Sequence, residues 1–481
     1  MPPRQVRRSA DRAALCPEPS RTLDGMPDER PPAPEVPASR ERRATLGADS
    51  RPSRMEGEAA RPARSAEPPV EGPDEHPGQH PDQHREEHLP AKVRPSRLPP
   101  EERPLVPASA AWREGDPVGH RQFADLGDLD LESGQRLPGV RLAYETWGDL
   151  DAARSNAVLV VHALTGDSHV TGPAGPGHPT AGWWSDMVGP GAPIDTEKWF
   201  VVAPNVLGGC QGSTGPASRA SDGHPWGSRF PLLTVRDQVE AEARLADHLG
   251  IDRFALVIGA SMGGHRALEW AVTFPDRVAR VAALATCAAT SGDQVASFHT
   301  QVAAITGDPR YRHGDYYDAA DGDGPDTGLS LARQIAHQTY RSAEELDTRF
   351  GRVPQGGEEP LEGGRFAVQS YLDHHGDKLA RRFDANSYVL LTRTMITHDL
   401  GRDRGGVEAA LAQVTAKAMV VAVDSDRLFT RAQAERIAAG IRRCGPVRVV
   451  RSPFGHDGFL VEHDQVGALV AAFLADKIRV R

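Results

Sequence analysis

Cysteine is scarce in this chain of 481 residues: Cys16, Cys210, Cys287 and Cys444 stand far apart and form no CxxC pair. That usage argues against a thiol metal site or a redox motif and fits reduced thiols in a cytoplasmic protein. Cys210 lies in a Gly-rich stretch with no base close to it in sequence, so it is not assigned as a nucleophile. No run of about 18 apolar residues occurs, so no membrane span is expected. The first 30 residues are polar, charged and Pro-containing, without the apolar segment of a secretory signal. Positive charge is not in excess either. The net charge of −10 gives no broad attraction to nucleic acid. Aromatic residues are missing before Trp112, while the first 107 residues carry 22 of the 40 prolines. Such a segment cannot bury enough apolar surface to offset chain entropy. Residues 1–110 are therefore expected to be a disordered Pro/Arg/Glu-rich tail, in which Met26 and Met55 offer later starts. His76, His80, His84 and His88 recur at the spacing of a metal-binding helix face. Pro77 and Pro81 would break that helix, so a solvated tract is the expectation.

After residue 135 the pattern changes to short apolar runs alternating with amphipathic stretches. Arg141–Trp147 alternates like a strand, and Ala157–His162 and Trp199–Pro204 read as buried strands. Val235–Leu249 has helical spacing with Thr234 placed to cap it. Phe254–Ile258 predicts a strand, Gly263–Phe274 a helix, and Val281–Thr286, Lys417–Val423 and Val447–Arg451 three more strands. Strands alternating with helices predict a mostly parallel sheet covered on both faces. The rhythm fails between residues 290 and 400, where helical patterns such as Leu329–Tyr340 mix with Gly/Asp loops. An insertion there would sit above the C-terminal strand ends, where such sheets bind ligands, and is expected to form a helical lid. The organisation is thus a tail over 1–110, a first core part over 111–289, a lid over 290–400 and a second core part over 401–481.

The strongest chemical signal is FALVIGASMGGHRALEW at residues 254–270. It places G-x-S-x-G between a strand and a helix, which is the nucleophile elbow of the α/β-hydrolase fold. The tight turn requires small neighbours, here Gly259, Ala260, Gly263 and Gly264, and it projects Ser261 toward substrate. A serine hydroxyl needs a base, and in this fold the chain order is serine, acid, histidine. Past the strand Lys417–Val423 two acids compete, Asp424 and Asp426. Past Val447–Arg451 comes His456, preferred as the base over His398 and His463. An oxyanion hole needs two backbone N–H groups. Met262, following the nucleophile, supplies one, and Leu164, in the HALTG loop after an early strand, the other.

The motifs resemble those of the homoserine O-acetyltransferases. They include HALTGDSHV (162–170), GWW (182–184), NVLGGCQGSTGP (205–216), GASMGGHRALEWA (259–271), GLSLARQIAHQTYRS (328–342), FAVQSYLDHHGDK (366–378), SDRLF (425–429) and FGHDGFL (454–460). The resemblance runs from about Val140 to the C-terminus and has no counterpart in the tail. It implies Asp426 as the catalytic acid, beside Ser261 and His456. It also implies that Arg333 and Asp457 bind the amino-acid substrate. A guanidinium suits the carboxylate of homoserine and an acid its ammonium. The expected substrates are acetyl-CoA and L-homoserine, with no metal, no cofactor beyond the acyl-CoA co-substrate, and a homodimer built through the lid helices. Relatives with these motifs also use succinyl-CoA, or serine as acceptor. An esterase and a non-catalytic receptor on the same fold are the more distant alternatives.

Overall fold

The computed structural model describes residues 104–478 and 480. Cys16, the histidine tract and all but the last residues of the expected tail lie outside the described residues. Eight strands form one sheet. They are β1 (Gln122–Asp130), β2 (Arg136–Trp147), β3 (Ala157–Val161), β4 (Phe200–Pro204), β5 (Leu256–Ala260), β6 (Arg280–Leu284), β7 (Lys417–Val423) and β8 (Arg448–Val450). Their spatial order is β1-β2-β4-β3-β5-β6-β7-β8. β2 runs antiparallel to both β1 and β4, and every other pair is parallel.

The central strands are apolar at every position because both faces are covered. In β3, Ala157, Leu159 and Val161 pack into one core while Val158 and Val160 pack into a second on the opposite face. This is the two-residue alternation of a strand applied to a doubly covered sheet. The first core is closed by α1 (Val235–His248) and α2 (Met262–Thr273). Thr234 caps α1 by accepting from the backbone N–H of Asp237, whose carboxylate accepts in return from the Thr234 N–H, a reciprocal cap that satisfies two otherwise orphaned donors.

Between β6 and β7 the chain leaves the sheet and builds α3 (Gly292–Thr306), α4 (Asp326–Tyr340), α5 (Ala343–Arg349), α6 (Ala367–Ala380), α7 (Ala385–Ile396) and α8 (Val407–Leu411). A third apolar cluster joins this insertion to the sheet, with Leu329, Ala332 and Tyr388 packed alongside Leu164, Met262 and Phe429. After β7 come α9 (Arg431–Gly440), the short α10 (Gly458–Val461) and α11 (His463–Leu474). Val466, Val470 and Phe473 of α11 close the second core.

Two features differ from the sequence reading. β1 and the first half of β2 form an edge hairpin that the pattern did not show. Its polar alternation is interrupted by register shifts around Gly127. Residues 104–110, expected to belong with the tail, lie against the insertion. Ala108 and Ser109 are buried, the Gly322 N–H donates to the Val106 carbonyl, and Ser109 donates to Asp384 Oδ1 at 2.8 Å.

Candidate active site

β5 ends at Ala260, and α2 begins at Met262. Between them Ser261 adopts φ 57° and ψ −126°, a left-handed conformation that costs a residue with a Cβ about 1–3 kcal/mol. Its backbone is held on all sides. The Ser261 N–H donates to the Leu284 carbonyl at 3.0 Å, and the Ser261 carbonyl accepts from Thr286 Oγ1 at 2.9 Å. The turn closes only because its flanks are glycine. A Cβ on Gly263 would lie 2.1 Å from the Val161 carbonyl oxygen, and one on Gly259 2.3 Å from the Gly263 oxygen. Behind the turn, the buried Arg266 of α2 pairs with Glu242 of α1 and donates to the His162 carbonyl, while Trp270 Nε1 donates to the second Glu242 oxygen at 2.8 Å.

Leu164 lies in the loop after β3, the parallel neighbour of β5, where Val161 pairs with Gly259. His162 anchors that loop: its Nδ1 meets the Ala163 carbonyl at 2.7 Å and its Nε2 accepts from the Val206 N–H at 3.0 Å. Burial, reinforced by Arg266, pushes the His162 pKa well below the usual histidine range, in keeping with a neutral ring. Met262 opens α2, where a helix leaves its N–H groups without intrahelical partners.

Asp426 follows the end of β7. Its Oδ1 accepts from the Leu428 and Phe429 N–H groups at 2.8 and 2.9 Å, and its Oδ2 meets His456 Nδ1 at 2.7 Å. Asp424 is exposed and accepts from the Ser452 N–H. The rival histidines have other partners. His398 stacks on His265 at 4.1 Å with its Nε2 near the Cys287 carbonyl, and His463 faces Asp186 at 3.2 Å. Burial lowers the His456 pKa, but Asp426 and, to a lesser degree, Asp457 outweigh it, so the value lies above the usual histidine value. From the elbow side, the His265 ring is 5.7 Å from Phe429, which lies 5.1 Å from His456.

The insertion meets the histidine loop at the end of α4. The Tyr340 ring is 5.6 Å from His456, and the Arg333 guanidinium lies 5.3 Å from the Tyr340 ring centre. Arg333 and Tyr340 are seven residues apart and share a helix face. Burial raises the Tyr340 pKa, while Arg333 acts to lower it and Asp457 to raise it. Gly455 has φ +65°, and a Cβ there would stand 2.5 Å from the Tyr340 carbonyl oxygen. Ser342 Oγ donates to the Pro453 carbonyl at 2.5 Å. Asp457 is paired with Arg341, Oδ2 to Nε 3.1 Å. The sequence reading included neither Tyr340 nor Arg341. The two-turn spacing from Arg333 is the signal that could have found Tyr340, whereas no local signal marks Arg341.

Two other clusters bear on chemistry. A cleft of about 510 Å³ is lined by Trp112, Arg141, Cys210, Arg219 and Tyr317 and by none of the seven site residues. Burial pushes the Cys210 thiol up to about 12, far from a nucleophile's range. Glu145, His169 and His178 form a buried group of metal-ligand type. The two rings stack at 3.9 Å and 12°, so their in-plane lone pairs run in parallel planes and do not converge on one ion. His169 lies between Glu145 Oε2 at 3.0 Å and the Pro173 carbonyl at 3.3 Å, an arrangement that suits a charged ring.

The strand order, the elbow and the Asp–His pair define an α/β-hydrolase-fold protein, and residues 156–463 match the family described as alpha/beta hydrolase fold. The chain is 60% identical over 373 residues to a homoserine O-acetyltransferase of Thermobifida fusca, covering 77% of this chain and 98% of that one. Among solved structures it resembles a homoserine O-acetyltransferase from Bacillus anthracis with a TM-score of 0.68 and 25% identity, covering 75% of this chain and 98% of that one. It also resembles an acetylester hydrolase from Corynebacterium glutamicum with a TM-score of 0.64 and 26% identity, covering 74% and 97%. The chain belongs to the homoserine O-acetyltransferase family.

Proposed function

We propose that this enzyme transfers an acetyl group from acetyl-CoA to the side-chain hydroxyl of L-homoserine, a step that feeds methionine synthesis. The observation that carries the reading is the seam between α4 and the histidine loop: Arg333 lies over the Tyr340 ring, that ring stands 5.6 Å from His456, and Asp457, next to His456 in the chain, pairs with Arg341, next to Tyr340. In this reading Arg333 and Asp457 grip the amino acid beside the base. His456, oriented by Asp426, takes the Ser261 proton, and Ser261 attacks the thioester carbonyl. The N–H groups of Leu164 and Met262 hold the oxyanion. The thiolate of coenzyme A leaves with the proton from His456, and an acetyl-serine remains. Homoserine then binds with its carboxylate on Arg333 and its ammonium on Asp457. Its hydroxyl gives a proton to His456 and attacks the acetyl-serine, and the proton returns to Ser261. No cofactor takes part beyond the acyl-CoA co-substrate. A pairing of two copies through the insertion belongs to the same reading. Leu331, Val353 and Leu361 of that region are exposed apolar residues, and sedimentation measures the assembly.

Hydrolysis is the second reading, favoured by the likeness to an acetylester hydrolase at an identity close to that of the transferase structure. Water would then resolve the acetyl-serine, and Arg333 and Asp457 would have no ligand. Steady-state rates with acetyl- or succinyl-CoA, each with homoserine or serine, decide among these. The acetyl-CoA and homoserine pair should be fastest, and acetyl-CoA alone should leave an acetyl mass on Ser261. Equal coenzyme A release with and without homoserine would sink the transferase reading.

A further inference from the structure

Asp457 has a cationic partner within the chain itself. Arg341, the residue that ends α4, sets its Nε 3.1 Å from Asp457 Oδ2, and both side chains are mostly buried. The guanidinium also lies 5.5 Å from the Phe454 ring centre and 3.9 Å from Glu345 Oε1, and Glu345 in turn faces Arg349 at 3.4 Å. Charges thus alternate from Asp457 through Arg341 and Glu345 to Arg349, outward from the seam into the insertion. Arg341 does not reach the Asp426–His456 pair among the contacts of the described residues. A carboxylate has lone pairs for more than one cation, so Asp457 is able to hold Arg341 and an ammonium together.

We propose that Arg341 is a positioning residue for the acceptor alone: it fixes the Asp457 carboxylate that takes the acceptor's ammonium and has no part in forming the acetyl-serine. The inference rests on the reading that Asp457 binds that ammonium. It also makes Arg341 a determinant of specificity, because the benefit of a fixed Asp457 reaches only acceptors that carry an ammonium. A merely structural clasp between α4 and the histidine loop would behave differently. Loosening it would disturb His456 and slow both half-reactions.

The test separates the two halves of the reaction in the full chain. Arg341→Gln should form acetyl-enzyme from acetyl-CoA at the wild-type rate, read by stopped-flow coenzyme A release. It should raise the homoserine KM about tenfold, the size of coupling expected between groups in direct contact. Discrimination between homoserine and 4-hydroxybutanoate, which lacks the amino group, should fall by the same factor. An unchanged homoserine KM, or equal losses in both half-reactions, would overturn the proposal. Should the Gln variant fail to fold, Arg341→Lys carries the test by the same criteria, with a smaller rise in KM because the charge is kept. Asp457→Asn serves as the reference. A normal homoserine KM in that variant refutes the ammonium site itself, whereas a raised KM there with a normal one in the Arg341 variants refutes only the role of Arg341.

Discussion

Around Ser261, position is set by backbone packed on backbone; around Asp457 it is set by charge. The elbow has no room for a Cβ at Gly263 or Gly259, and its supporting helices are locked by a fully buried Arg266–Glu242 pair. The proposed acceptor side brings Arg333, Tyr340 and Arg341 of the insertion to Asp457 of a core loop, with Arg333 over Tyr340 and Arg341 paired to Asp457. The first arrangement belongs to the fold, and a transferase and an acetylester hydrolase share that fold. On the proposed reading, the second arrangement supplies the features that choose an amino acid. Acyl-enzyme formation and acceptor choice should therefore separate under mutation.

The largest effects should fall on the shared half. Ser261→Ala should abolish the acetyl-enzyme and lower kcat about 10⁴-fold or more, with homoserine binding preserved by calorimetry. Retained acetyl transfer would break the comparison at its root. Asp426→Asn should cost about 10⁴-fold in kcat, because the amide favours the wrong tautomer of His456. The pH profile sharpens this. His456 must be neutral to take the serine proton, and its pKa is raised by Asp426 against the effect of burial. Acylation should therefore fall as pH drops through a value above the usual histidine pKa. In the Asn variant burial dominates, so the residual activity should have its acid limb at lower pH. An unmoved limb would remove Asp426 as the cause.

The seam offers a smaller, more selective break. Gly455→Ala places a Cβ against the Tyr340 carbonyl at 2.5 Å in a left-handed backbone. The histidine loop must shift away from α4, and a displacement near 1 Å costs about 10²-fold in rate. Both half-reactions should slow, in contrast to the Arg341 variants. Stopped-flow acylation measured on the two variants side by side distinguishes movement of the base from loss of the acceptor grip.

What was legible in the sequence follows the same division. The elbow could be read because its requirements are consecutive: small residues, a serine, and a strand and helix on either side. Asp426 was separable from Asp424 only through the family motif. The structure shows the physical difference, since Asp426 is buried with three hydrogen-bond partners while Asp424 is exposed. Arg341 could not be read, because what defines it is a partner on a different element far along the chain. The edge hairpin of β1 and β2 was missed because an exposed, bulged strand carries little apolar pattern.

The segment just before the fold is the last place where composition misleads. Proline-rich sequence placed the domain boundary near residue 110, yet Ser109 donates to Asp384, a fully buried carboxylate that also accepts from Tyr316, Tyr317 and the Ser387 N–H. Removing Ser109 takes one partner from a buried charge, which costs about 1–3 kcal/mol. Asp384 caps α7, and Tyr388 of that helix packs in the cluster that joins the insertion to the sheet. Deleting residues 1–103 keeps the strap of residues 104–111 and serves as the reference, with turnover expected intact. Deleting 1–111 should lower the midpoint by about 3 °C and raise the homoserine KM slightly, with acetyl-enzyme formation intact. If both truncations melt alike, the strap contributes nothing to the insertion. If the longer deletion slows acylation as strongly as homoserine transfer, the elbow and the insertion are not held independently, and the contrast between them fails.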